Sequence, residues 1–71
     1  MNRPNDPVIQ RLIDKLQNKD PRTRRNAAGA LRLNGRRAVC AIPKLEVLLD
    51  DKDRRVRKEA EQAIERLKAV A

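Results

Sequence analysis

Apolar residues fall along this chain in four clusters at helical spacing, separated by short polar stretches. In the first, Ile9, Leu12, Ile13 and Leu16 recur every three or four residues, while Gln10, Arg11, Asp14 and Lys15 fill the other face. Asp6-Pro7 reads as an N-cap followed by proline at the first helical position, where a missing N–H costs nothing. The spacing predicts a helix over 7–17 and a turn at Asn18-Lys19. Asp20-Pro21 repeats the cap signal, and Ala27, Ala30 and Leu31 form the next stripe, predicting a helix over 21–33. Asn34-Gly35 is a stop, because glycine accepts the positive φ that closes many helices. Ala38, Ala41, Ile42, Leu45, Leu48 and Leu49 continue at helical spacing, interrupted by Pro43. Either a first turn over 37–42 bends at Pro43, or the regular helix starts there. Asp50-Asp51-Lys52 is a turn and Asp53 a further N-cap. Val56, Ala60, Ala63, Ile64 and Leu67 then point inward from a helix that runs to about residue 69. The expected shared core is Leu12, Leu16, Leu45, Leu49, Ile64 and Leu67.

The two halves match at an offset of 33 residues. Ile9 pairs with Ile42, Leu12 with Leu45 and Leu16 with Leu49. Lys19 and Asp20 pair with Lys52 and Asp53, Arg22 and Arg24 with Arg55 and Arg57, and Ala27 and Ala30 with Ala60 and Ala63. Core, cap and basic positions all keep register, which chance alignment of two amphipathic helices would not do. Self-similarity at this period is the mark of stacked repeats.

The run Gly35-x-x-Ala38-x-x-Ala41-Ile42-Pro43-x-Leu45-x-x-Leu48-Leu49-x-Asp51-x-Asp53-x-x-Val56-Arg57-x-x-Ala60-x-x-Ala63-Ile64 resembles a HEAT-like repeat. The likeness is to the short, regular kind common in bacterial proteins, including the phycobilin-lyase-type HEAT proteins. The stretch from Ile9 to Gly35 follows the same pattern, with Thr23 at the position of Val56. The resemblance covers residues 8–68 and implies an all-α fragment of a solenoid: two stacked helix-turn-helix repeats, four helices in all. The expected organisation is an N-terminal tail over 1–6, a first repeat over 7–35 and a second over 36–71. The resemblance further implies that the second helix of each pair lines the inner, binding face. Asp20 and Asp53 would cap those helices, and Arg24 and Arg57 would reach the neighbouring repeat, often toward the cap aspartate.

Composition narrows the chemistry. Among the 71 residues there is no histidine and one cysteine, so neither an internal disulfide nor a Cys/His zinc site is available. The absence of Phe, Tyr and Trp leaves the core to Leu, Ile, Val and Ala, and removes base stacking from any binding mechanism. No apolar run approaches the roughly 18 residues of a membrane helix. The polar start does not read as a signal peptide, and a cytoplasmic location is expected.

The net charge of +8 is concentrated. Residues 19–37 hold seven basic side chains against Asp20 alone. Such a block points to an acidic partner. By helical spacing, Arg25, Ala28, Gly29 and Arg32 lie opposite the apolar stripe, so a partner could approach closely over Ala28 and Gly29. Arg22, Arg25, Arg32, Arg36 and Arg37 are the expected partner-binding residues. Lys58, Glu61, Gln62 and Glu65, at the matching positions of the last helix, read as a solvated or capping face.

Cys40 is expected to be a small, partly buried apolar residue rather than a redox thiol or attachment point. Asp50, Asp51 and Asp53 are too few, and wrongly spaced, for a calcium loop. No catalytic constellation, cofactor site or metal site is expected. The leading reading is a non-enzymatic adaptor or accessory subunit, in a larger complex or self-associated, since two repeats fall short of the roughly three that such arrays need. The alternative is non-specific binding to a nucleic-acid backbone, and a lyase-like enzyme is disfavoured for want of residues. Neither membrane insertion nor a small-molecule substrate is expected.

Overall fold

A computed structural model describes residues 6–71. Among them there is helix and no strand. Three α-helices have nine residues or more: α1 (Pro7–Lys15), α2 (Pro21–Asn34) and α4 (Arg54–Val70). Between α2 and α4 lies a composite element rather than one regular helix. A 3-10 stretch, Gly35–Ala41, leads into the six-residue α3 (Ile42–Val47), and a second 3-10 turn, Leu48–Asp50, follows it. Pro43 falls in the first turn of α3, where its lost N–H is harmless, so the regular winding begins at Ile42, one residue before the proline.

Each long helix starts on an aspartate. Asp6 accepts hydrogen bonds from the Val8 and Ile9 amides, at 3.0 and 3.3 Å. Asp20 accepts from the Arg22 amide at 2.8 Å, and Asp53 from the Arg55 and Val56 amides at 2.8 and 3.3 Å. Of the tail expected over 1–6, residues 1–5 lie outside the described residues, and Asp6 is the cap of α1. Gly35 ends α2 with φ at +59°, which only glycine adopts without strain.

The helix α2 is central. It packs on α1 and on α4, while α3 packs on α4. Its core partners are Ile9 and Leu16 of the first segment, Leu45 and Leu48 of the composite element, and Val56, Ala60, Ala63, Ile64 and Leu67 of α4. Leu12, expected at the centre, is only partly buried at the core's edge. Leu49, also expected inside, is 41% exposed, and Leu48 takes its place at 6%. The cause is the change of winding. A 3-10 turn advances about 120° per residue, so position i+3 eclipses position i. The tighter winding that starts at Leu48 leaves Leu48 in the core with the fully buried Leu45 and turns Leu49 outward.

Candidate functional site

The arginines of the basic block have different surroundings. Arg24 is the one buried charged residue among those described. Its guanidinium grips Asp51 with two parallel hydrogen bonds, Nε to Oδ2 at 2.7 Å and Nη2 to Oδ1 at 3.0 Å. Its Nη1 donates to the carbonyls of Asn18 and Lys19, at 2.7 and 3.0 Å. Two paired bonds to a carboxylate in a sheltered place form the strong, geometrically specific kind of ion pair. They hold the Asp51 carboxyl below its ordinary value. Arg24 thus reaches across the molecule, but to Asp51 and not to the capping Asp53.

Asp51 also orders its own turn, since Oδ1 accepts from the Asp53 amide at 2.9 Å. Asn18 does the same for the Asp20 amide at 2.9 Å. The two turns are built alike, one closed by an amide and one by a carboxylate. Sequence reasoning missed this role of Asp51, although the offset of 33 that pairs Asn18 with Asp51 carried the signal.

Of the five arginines expected to bind a partner, three have carboxylates within the fold. Arg22 meets Asp20 at 3.3 Å, Arg32 meets Glu59 at 3.1 Å and Arg37 meets Asp6 at 2.9 Å. Arg22 and Arg37 hold the Asp20 and Asp6 carboxyls below their ordinary values. These pairs are largely exposed at the arginine, so they add little to stability and leave donors facing solvent. Arg36 is exposed and Arg25 half-buried. Neither has a carboxylate partner among the described residues.

The expected open shelf between Arg25 and Arg32 is absent. Ala28 is fully buried, and a Cβ on Gly29 would meet Glu59 Oε2 at 3.4 Å. The small residues admit α4, not an outside partner. Asp53 and Asp20 cap α4 and α2 as described above, and Arg57 donates Nη1 to the Asp51 carbonyl at 2.6 Å. Cys40 is half-buried beside the core. No group of His, Cys, Asp and Glu suited to a metal ion occurs among the described residues, and none of their helices is long and apolar enough to cross a membrane.

Helices packed in this way, with the same capped turn and the same arginine-to-carbonyl bond recurring 33 residues apart, define an α-helical repeat protein. A family model for HEAT repeats matches residues 2–68, and the chain belongs to that family. No curated protein and no solved structure matches it.

Proposed function

We propose that the chain is a two-repeat HEAT-type module, with repeats over 7–35 and 36–71, that binds another protein and is not an enzyme. The partner is acidic, and Arg22, Arg25, Arg32, Arg36 and Arg37 supply the attraction. The observation that supports this most is the charge left over once the internal pairs are formed. The chain keeps a formal excess of +8, and Arg25 and Arg36 remain without carboxylates among the described residues. A net excess of this size steers an acidic surface and raises its rate of encounter, and Arg25 and Arg36 offer it local contacts. HEAT repeats generally serve as protein-interaction scaffolds, and an accessory subunit of a larger complex is one such role.

Affinity purification from native cells, with and without nuclease, tests the reading. A protein that co-elutes after nuclease treatment, and is lost from Arg25→Glu/Arg36→Glu but retained by Lys15→Glu/Lys44→Glu, supports it. Arg25 and Arg36 carry the block, whereas Lys15 and Lys44 lie on exposed parts of α1 and α3. The second reading, contact with a nucleic-acid backbone, is favoured by the exposed donors of Arg22 and Arg36. It requires material that nuclease removes and a steep loss of binding with salt.

A further inference from the structure

Arg57 repeats the environment of Arg24 on one side only. Arg24 Nη1 donates to the Asn18 carbonyl at 2.7 Å, and Arg57 Nη1 donates to the Asp51 carbonyl at 2.6 Å. Both donor and acceptor are displaced by 33 residues. The other edge of the Arg24 guanidinium, Nε and Nη2, holds the Asp51 carboxylate. The same edge of Arg57 meets no carboxylate among the described residues. Arg57 also lines an open surface cleft of about 510 Å³, together with Leu49, Arg54, Lys58 and Glu61. It combines three cations, one anion and the leucine that the 3-10 turn rotates outward.

We propose that this cleft is a docking site for an acidic segment of a partner protein. One Asp or Glu of that segment sits in the Arg57 fork, as Asp51 sits in that of Arg24, and a neighbouring apolar side chain lies on Leu49. The proposal rests on the reading of the chain as a protein-binding module and names a second surface for it. Charge complementarity selects the occupant. The cleft has two positive charges in excess, and Arg57 is already held by its bond to a backbone carbonyl, so little freedom is lost on binding.

Two other occupants fit worse. A second copy stacked end to end would bring Asn18 and Asn26, the residues offset by 33 from Asp51 and Glu59, and so amides where the internal pairs use carboxylates. A whole helical repeat packed as α4 packs on α2 would need small residues. At the positions offset from Ala28 and Gly29, α4 carries Glu61 and Gln62, both exposed. The occupant is therefore a thin segment at the Arg57 end. A nucleic-acid backbone gains nothing from Leu49, whereas a protein segment can lay an apolar side chain on it.

The test uses the full chain, labelled with nitrogen-15, and a synthetic peptide of residues 45–53 of this chain, which carries Asp51 beside two leucines. Titration followed by NMR should move the Arg57 Nε–H signal and the amides of Leu49 and Lys58. Replacing Asp51 by Asn in the peptide should weaken binding at least about tenfold, as should Arg57→Lys in the protein, which keeps the charge but not the fork. Arg25→Gln/Arg36→Gln should bind as the parent does. The proposal is overturned by an absence of shifts, by a peptide indifferent to the Asn change, or by a short RNA duplex that moves the same signals more strongly. Shifts confined to Arg25 and Arg36 also overturn it, while leaving the arginine block as the docking surface.

Discussion

Asp51 holds the Arg24 fork and, through Oδ1, the amide that starts the next turn. Its carboxyl is held down chiefly by the hydrogen bond from Arg24. A depressed folded-state pKa contributes stability that is complete above the ordinary carboxylate range and lost as pH falls through the folded value. Asp51→Asn should keep the turn, because Asn18 closes the equivalent turn with an amide. It should therefore melt lower than the parent at pH 7, and the difference should shrink as pH falls below about 4 and the parent's own carboxylates protonate. Thermal melts of both proteins across that range check this; a gap that stays constant down to pH 2 would mean that the charge of Asp51 contributes nothing. The leucines next to this turn make a second contrast. Leu48→Ala empties a packed site and should cost about 2–4 kcal/mol, whereas Leu49→Ala should cost less than about 1 kcal/mol. Urea unfolding separates them directly.

The helices show where local sequence suffices. Caps at Asp6, Asp20 and Asp53 and the stop at Gly35 are short-range events, fixed by a side-chain oxygen or by a missing Cβ, and are legible in the chain. The composite element is less so. Apolar spacing of three and four residues fits α and 3-10 winding almost equally, and only the packing of Leu45 and Leu48 decides which leucine turns inward. The Arg25–Arg32 face was misread for a different reason. A helical wheel shows which residues share a face but not how many neighbours the helix has, and α2 has one on each side. The two glycines follow from this. Gly29 lies inside α2 at an ordinary φ, and a Cβ there would touch only the flexible end of Glu59. Gly29→Ala should stabilise by about 0.5–1 kcal/mol. Gly35 has open space around it but a φ that alanine resists, so Gly35→Ala should destabilise by about 1–3 kcal/mol. Opposite shifts in melting temperature are expected, and equal ones would contradict this account of α2.

Across the whole molecule, the ion pairs fix direction. Arg24–Asp51 and Arg32–Glu59 are both 27 residues apart in sequence, so the chain through α2 and the chain through the last turn and α4 run side by side in the same sense. Two parallel helices place their macrodipoles in parallel, with both positive ends on one end of the protein. Neither helix has an acidic residue in its first turn; Arg22 sits in one, Arg54 and Arg55 in the other. The capping aspartates and Asp51 offset part of this charge. What is left acts against folding and adds to the self-repulsion of a chain at +8. Mobile salt screens that repulsion and weakens the exposed ion pairs, each worth at most about 1 kcal/mol; the sheltered Arg24–Asp51 pair is screened less. Raising sodium chloride from about 20 to about 300 mM, which shortens the Debye length from roughly 20 to roughly 6 Å, should raise the melting temperature of the free protein. Sulfate at equal ionic strength should raise it further, because its exclusion from the protein surface also strengthens apolar burial. A melting temperature that falls with salt would show that the ion pairs outweigh the dipoles. If it rises, the free protein is a molecule under electrostatic tension, which mobile ions relieve.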